Sequence, residues 1–430
     1  MTSPAYSGPA YSGPAYFGLD FGTSNSTLSL ADGANAHLIA LEGAAVTLPS
    51  TVFWPDDRSP LSFGRAAMDT YLLGEEGRLL RGLKSTLGSA LYTEKTLLGG
   101  RMIGFATVIE AFFAHLKTHL DRARADRPLG GIVLGRPVHF HDGDAAADAR
   151  AEAALAEIAR SLGFDHVAFQ LEPIAAAMTY EAGISGEELV LIVDIGGGTS
   201  DFSILRLSPT RARAVDRSGD ILATGGVRVG GTDFDRALSL DMVMPTLGYK
   251  ATTKGGAGLM PNHYFLDLAT WHKINALYVP RVAADIKAMR HEIDRPELLD
   301  RFARVIAEKS GHALAMRVET AKIALSDAEA ARIVLTDLTG GPNPMATQTA
   351  FSGSAAPLLA KIKATMLDTL ARAGAAPADI GTVFLTGGAA HMPALRALVE
   401  DVFDSGHITT GDMLGSVGAG LAHEAQRRFG

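Results

Sequence analysis

Two segments of the chain share one pattern, a buried strand that ends in aspartate and turns back through glycine and hydroxyl residues. The first runs from Gly18 to Ser26 (GLDFGTSNS) and the second from Val193 to Asp201 (VDIGGGTSD). Their aspartates, Asp20 and Asp194, lie 174 residues apart, a reasonable length for a repeated domain. The chain is therefore predicted to contain two related halves, each carrying one such turn.

The chemistry of this turn suits phosphate binding. Glycines without a Cβ let backbone N–H groups approach phosphate oxygens, and consecutive N–H groups form an anion-binding concavity to which Thr and Ser hydroxyls add donors. An aspartate beside it would hold water on a Mg²⁺ ion that bridges phosphate oxygens; a strand-end cap is the alternative role for Asp20 and Asp194. The predicted phosphate contacts are Gly22, Thr23, Ser24, Asn25, Gly196, Gly197, Gly198 and Thr199.

The composition of the chain excludes several classes of protein function. The 430 residues leave room for about three average domains, and 47% hydrophobic with 20% charged residues describes a globular protein. A net charge of −8 argues against a nucleic-acid binder. The absence of cysteine excludes disulfides, thiolate zinc sites and thiol catalysis and suits a reducing compartment. No apolar run approaches the ~18 residues of a membrane span, so a soluble cytoplasmic protein is expected.

Residues 4–18 contain three copies of a five-residue unit, PAYSG twice and then PAYFG. Regularly spaced proline and glycine disfavour helix and sheet, so residues 1–16 are predicted to be a disordered tail. A neutral extension is the favoured interpretation, and a docking or polymerising tail is the alternative. A first lobe is predicted over residues 17–185 and a second lobe over 186–430, with an outer-subdomain insertion at about 236–330.

The remaining pattern alternates strands and helices, with hairpins early in each half. Leu189 to Val193 reads as a central strand that is buried on both faces. A long run of good helix formers predicts one helix from Glu297 to Leu325. The sequence therefore predicts an α/β fold built on mixed sheets.

Five segments resemble the nucleotide-binding domain shared by actin, sugar kinases and the DnaK-type heat-shock chaperones, and they fit the chaperone branch best. They are residues 18–26, 171–180 (LEPIAAAMTY), 193–201, 230–235 (GGTDFD) and 386–388 (TGG). Residues 136–137 (RP), 84–88 (KSTLG) and 415–422 (GSVGAGLA) are similar to the truncated YegD-like chaperone homologues that lack the substrate-binding domain. The resemblance implies an actin-like ATPase fold, with two similar lobes, mixed sheets flanked by helices, and a central cleft for ATP or ADP with Mg²⁺.

The resemblance also implies roles for individual residues. It places Lys84 at the γ-phosphate and Glu172 beside the attacking water, where a carboxylate accepts a proton or orients the water. An N-terminal helix acid, favoured by the helix dipole, is the alternative role for Glu172. The remaining assignments are catalysis for Asp194 and Thr199, and nucleotide contact for Asp201, Gly230, Gly231 and Thr232.

For the adenosine, the resemblance implies a wall on one helix face with a tight turn beneath it. The wall is Glu319, Lys322 and Ser326, and the turn contains Gly387 and Gly388. Chaperones carry an arginine that stacks on adenine, whereas this chain has Ile323 and, on the other side, His391. Weaker nucleotide binding is therefore expected.

The function implied is a weak ATPase that converts ATP and water to ADP and phosphate. Such a chaperone-like protein, without a C-terminal client-binding domain, would use nucleotide-dependent lobe closure to regulate an unidentified protein partner or client. The alternatives are an actin-like assembly protein controlled by nucleotide and, with less support, a small-molecule kinase, because no suitable catalytic aspartate is evident. A monomer that binds neither nucleic acid nor membrane is expected.

Overall fold

The structure, a computed structural model, describes residues 13–33, 35–57, 59–141, 143–214, 216–256, 258–403, 408–410 and 413–430. The strands are β1 Ala15–Phe21, β2 Asn25–Asp32, β3 Asn35–Leu38, β4 Thr47–Pro49, β5 Thr51–Pro55, β6 Ser62–Phe63, β7 Gly77–Arg81, β8 Lys95–Leu98, β9 Arg101–Gly104, β10 Leu129–Arg136, β11 His166–Leu171, β12 Glu188–Ile195, β13 Ser200–Leu207, β14 Ile221–Val227, β15 Ala330–Arg332, β16 Met345–Thr347, β17 Ile380–Thr386 and β18 Ile408–Thr410. The α-helices are α1 Gly64–Leu72, α2 Phe105–Arg124, α3 Ala145–Ser161, α4 Glu172–Glu181, α5 Gly231–Leu238, α6 His263–Leu268, α7 Pro280–Met289, α8 Pro296–Ala307, α9 Gly311–Ala324, α10 Thr336–Thr339, α11 Gln348–Ala373, α12 Pro393–Glu400 and α13 Met413–Phe429.

Two larger sheets carry the fold. The first has the order β11-β10-β1-β2-β3, with β4 also paired to β2; β1, β10 and β11 run parallel, and β2 is antiparallel to β1, β3 and β4. The second has the order β14-β13-β12-β17-β18. Smaller sheets are β6-β5-β7, β8-β9 and β15-β16. The predicted α/β fold with mixed sheets is confirmed.

The chain divides into two compact units. Unit 1 contains residues 1–192, 203–224 and 410–430, and unit 2 contains residues 193–202 and 225–409. The sequence pattern predicts a boundary at residue 185, with everything after it in the second lobe. The difference arises because the final helix, α13, packs on β1 and β2, and so joins the unit that begins the chain.

The first strand begins earlier than the sequence pattern predicts. Ala15 and Phe17 are fully buried, and the Ala15 N–H donates to the Pro128 carbonyl (2.9 Å). The Arg127 guanidinium donates to the carbonyls of Gly13 (3.1 Å) and Pro14 (2.9 Å). Residues 15 and 16, which the sequence analysis assigned to the tail, therefore belong to the sheet. Residues 1–12, with the first two repeat copies up to Ser12, lie outside the described residues.

The single helix predicted from Glu297 to Leu325 is wrong, because the chain forms α8 and α9 with a turn between them. Lys309 has a positive φ of 50°, which a helix cannot accommodate. The next helix starts at Gly311, whose N–H donates to the Tyr278 hydroxyl (3.0 Å). A Cβ at this glycine would lie 2.7 Å from the Ile274 side chain, so tertiary packing sets the break. No described helix is long and apolar enough to cross a membrane.

Helix α13 approaches its neighbours at backbone distance. A Cβ on Gly18 of β1 would lie 2.5 Å from the Ala422 nitrogen, and one on Gly420 would lie 2.1 Å from the carbonyl oxygen of Ala175 in α4. The Ser29 hydroxyl of β2 donates to the Gly418 carbonyl (2.5 Å). These small residues let one helix lie against β1, β2 and α4 of unit 1.

This close packing predicts opposite effects for two helical glycines. Gly420→Ala should destabilise the protein by about 1–3 kcal/mol, since the new methyl group overlaps a backbone oxygen. Gly353→Ala in α11 is the matched control, because a Cβ there meets nothing within 4 Å, and alanine should stabilise the helix by about 0.5–1 kcal/mol. Denaturant unfolding of both variants measures the difference; equal effects would contradict the packing.

Candidate functional site

The first glycine–hydroxyl turn joins β1 to β2 in unit 1. A Cβ on Gly22 would lie 2.3 Å from the Asn25 carbonyl oxygen, so the turn is tight enough to require glycine. Ser50 fixes it from outside: its hydroxyl donates to the Gly22 carbonyl (2.7 Å) and its N–H to the Ser24 carbonyl (2.8 Å). Within the described chain, the N–H groups of Thr23 and Ser24 have no acceptor, and Thr23 is exposed. The turn therefore has backbone N–H groups without an acceptor in the described chain, while Asp20, two residues before Gly22, is buried in β1.

The second turn joins β12 to β13 in unit 2 and repeats these features. The Gly196 N–H donates to the Thr199 carbonyl (2.9 Å), which closes the turn, and the Thr199 hydroxyl donates to Asp201 (2.8 Å). The N–H groups of Gly197 and Gly198 find no acceptor among the residues described. Asp194, two residues before the turn, is half-buried. Each unit thus contains a glycine–hydroxyl turn with backbone N–H groups that have no acceptor among the described residues, a geometry typical of anion sites.

The start of α5 supports the second turn. The N–H groups of Gly231 and Thr232 donate to the carbonyls of Gly196 (2.9 Å) and Gly197 (2.8 Å). A Cβ on Gly230 would lie 2.5 Å from the Gly198 nitrogen, so only glycine allows the two backbones to approach. These hydrogen bonds occupy the N–H groups of Gly231 and Thr232, two of the residues predicted to contact nucleotide. Residues 230–232 therefore pack against the backbone of the second turn and hold it in place.

Lys322 in α9 is held by this same support. It is buried, and its ammonium pairs with Asp235 of α5 (2.8 Å) and donates to the Gly231 carbonyl (3.2 Å). Glu319 is half-buried on the same helix, whereas Ser326 lies beyond its end. Two of the three residues predicted to share a helix face, Glu319 and Lys322, therefore lie on α9, whereas Ser326 follows the helix.

The next residue, Ile323, is one of several exposed apolar side chains. It is 58% exposed, although it directly follows a buried lysine. The Gly387–Gly388 turn after β17 lies against the second aspartate strand: a Cβ on Gly387, whose φ is +85°, would lie 2.2 Å from the Ile195 carbonyl oxygen. His391, which follows that turn, is exposed.

An ion pair in unit 1 joins two of the four predicted catalytic residues, Lys84 and Glu172. Lys84 belongs to the short 3₁₀ turn Leu83–Thr86, and its ammonium lies 2.7 Å from Oε1 of Glu172. Glu172 is the first residue of α4, where the positive end of the helix dipole favours a carboxylate. Both side chains are largely buried, with 11% and 20% of their surface exposed. The sequence indicates each residue separately but gives no signal for the pair, because 88 residues separate them.

Comparison with known proteins agrees with this geometry. The profile of the MreB/Mbl protein family matches residues 142–241, and that of the Hsp70 protein family matches residues 303–426. The chaperone protein DnaK of Trichormus variabilis is 25% identical over 90% of this chain and 50% of its own length. An HscA homologue of Aromatoleum aromaticum is 26% identical over 99% of the chain and 60% of its own length. An HscA homologue of Pseudomonas paraeruginosa is 31% identical over 52% and 36%.

The mixed sheets and the matches to the MreB/Mbl and Hsp70 families define an actin-like ATPase fold. Over most of its length, the chain is similar to DnaK-type chaperones. It spans about half to 60% of the length of the DnaK and HscA relatives that it matches along most of its sequence.

The buried position of Lys322 predicts a structural cost that is independent of nucleotide. Lys322→Met should destabilise the protein by on the order of 3 kcal/mol, because Asp235 would lose a buried partner. The double variant Lys322→Met/Asp235→Leu should recover much of this loss. Denaturant unfolding without nucleotide is the measurement. Unchanged stability, with only ATP affinity reduced, would instead assign the lysine to the ligand.

Proposed function

We propose that the chain is a DnaK-like ATPase that binds ATP with Mg²⁺, hydrolyses it slowly and uses its nucleotide state to regulate a protein partner. The observation that carries the proposal is the repeated turn, with backbone N–H donors that have no acceptor in the described chain at residues 23–24 and again at 197–198. A single glycine-rich turn of this kind is common between paired strands and would be weak evidence for phosphate binding. Two in one chain, each preceded by an aspartate, suit a polyphosphate with its metal ion.

The donor set fits the nucleotide and its ion. In this proposal, each turn donates to phosphate oxygens of ATP, as the resemblance to DnaK-type proteins implies. Asp20 and Asp194 would accept hydrogen bonds from waters on Mg²⁺, a role that suits carboxylates placed beside the turns rather than in them. When bound, Mg²⁺ neutralises charge on the phosphate oxygens.

The Lys84–Glu172 pair supplies the remaining groups. Phosphoryl transfer depends mainly on positioning and electrostatics, so few protein groups need to react. The Glu172 carboxylate would accept a hydrogen bond from the attacking water, and the Lys84 ammonium would orient that carboxylate and stabilise charge on the γ-phosphate. Thr199, already hydrogen-bonded to Asp201, would donate from the second turn.

A protein partner and cytoplasmic localisation remain predictions. The DnaK and HscA relatives are named as chaperone proteins, which supports a protein as the regulated partner. The match to the MreB/Mbl family favours one alternative, an assembly protein controlled by nucleotide. A rise in light scattering on adding ATP would support assembly over partner regulation.

Glu172→Gln tests the proposed hydrolysis. The substitution keeps the size of the side chain but removes its charge, so turnover should fall roughly 100-fold or more while ATP affinity is retained. Glu297→Gln is the matched control, because Glu297 is also a first-turn acid beside a proline, but it is exposed. Phosphate release and ATP titration measure the two quantities. Unchanged turnover in a folded Glu172→Gln protein would contradict the assignment.

Ile323 tests the predicted placement of the base. Isoleucine offers only apolar contact, whereas a guanidinium over adenine adds a cation–π attraction of about 0.5–2 kcal/mol. Ile323→Arg should therefore tighten ATP binding by about two- to thirtyfold. Leu259→Arg, at a leucine that is 64% exposed, adds the same charge elsewhere in unit 2 and should leave affinity unchanged. Equal affinities for both variants by calorimetric titration would show that Ile323 does not contact the base.

A further inference from the structure

The turn that carries Lys84 is closed by side chains from another part of unit 1. Leu83 and Leu87 at its two ends are buried, and the chain leaves it through Gly88. Nε2 of His141 donates to the Leu87 carbonyl (2.5 Å). The Arg150 guanidinium donates to the next carbonyl, that of Gly88 (3.1 and 3.3 Å). Two consecutive carbonyls that follow the catalytic turn therefore receive donors from the region of α3.

Gly88 makes this contact possible. Its φ is +70°, and a Cβ there would lie 2.2 Å from the Ala147 carbonyl oxygen in the first turn of α3. The same Cβ would lie 3.1 Å from Nε2 of His141. The turn is therefore seated on α3, and the His141 ring packs beside the carbonyl that it binds.

The segment that carries His141 is itself held firmly. The Phe140 N–H donates to Asp148 (2.5 Å), and the Arg136 guanidinium pairs with Asp148 (2.5 Å) and Glu152. Burial alone would raise the pKa of Asp148, but the hydrogen bonds from Phe140 and Arg136 hold that pKa below its usual value. Asp148 therefore stays ionised near neutral pH and fixes the segment to α3.

These contacts connect the Lys84–Glu172 ion pair to α3 and to β10. Arg136 ends β10, and the preceding Gly135 lies under the Glu172 side chain, where a Cβ would be 3.2 Å from Cγ. Glu172 pairs with Lys84, and the turn that carries Lys84 leads to Leu87, whose carbonyl binds His141. The chain before His141 leads back to the end of β10. The position of the Lys84 ammonium thus depends on a donor 57 residues away in sequence.

We infer that His141 is a positioning residue for ATP hydrolysis, which acts by clamping the Leu87 carbonyl so that Lys84 stays on Glu172. The inference rests on the proposed ATPase function. His141 does not touch the nucleotide in this scheme, so its loss should alter the hydrolysis step rather than nucleotide binding. Arg150 assists through the Gly88 carbonyl.

The test compares three histidine variants. His141→Leu removes the donor, His141→Gln retains an N–H donor, and His139→Leu is the control at an exposed histidine two residues away. His141→Leu should lower the single-turnover hydrolysis rate by roughly 10- to 100-fold, because small misplacements of catalytic groups have effects of this size. ATP affinity should stay within about twofold, as expected when only the reaction step is affected. His141→Gln should restore much of the rate, and His139→Leu should match the wild type.

A second readout needs no nucleotide. Lys84 is largely buried in its ion pair, so its amine should react slowly with acetic anhydride, as followed by peptide mass spectrometry. His141→Leu should speed this labelling several-fold, whereas His139→Leu should not. If His141→Leu does not fold, Arg150→Met takes its place, with the same changes expected in rate and labelling.

The outcomes separate the two proposals. A wild-type protein that does not hydrolyse ATP overturns the proposed function, while the labelling still tests the clamp. If His141→Leu and His139→Leu give the same rate and the same labelling, the clamp is overturned. If rate and affinity fall together and His141→Gln restores neither, His141 has only a structural role and the inference fails.

Discussion

The close approach of helix α13 to strand β1 is the constraint on which unit 1 depends. Gly18, Gly418 and Gly420 remove the side chains that would otherwise separate the helix from the sheet and from α4. The same helix touches β10, where Leu421 packs against Gly135. It therefore sets the positions of the strand that carries Asp20 and the helix that starts at Glu172. A bulky residue at these contacts would move both parts of the candidate site together.

The two phosphate turns have similar chemistry but different support. In unit 1, one serine side chain and its backbone hold the turn through the carbonyls of Gly22 and Ser24. In unit 2, the N–H groups of Gly231 and Thr232 at the start of α5 hold the turn, and the buried Lys322 donates to the Gly231 carbonyl. The repeated sequence therefore specifies turns with N–H groups that have no acceptor among the described residues, whereas each unit stabilises its turn through different contacts.

The sequence predicted the turns well because strand endings, aspartate and glycine are local signals. It predicted the α8–α9 region poorly, since a lysine rather than a glycine adopts the left-handed conformation at the break. The ion pairs Lys84–Glu172 and Lys322–Asp235 were also missed, because each joins residues that are distant along the chain. The strand start at Ala15 was not predicted because it lies in the third copy of the proline- and glycine-containing repeat. In its third copy, phenylalanine at position 17 replaces the serine of the first two, and this apolar side chain is buried.

Unit 1 is discontinuous, and this affects how the protein folds during synthesis. Residues 225–409 of unit 2 leave the ribosome before α13, which completes the packing of β1. At translation rates of about 5–20 residues per second, β1 would wait some 20–80 s for its helix. During that interval Gly18 and its neighbours on β1 lack the cover that α13 provides. The nascent first unit is therefore a stage at which aggregation, or binding by chaperones, competes with native folding.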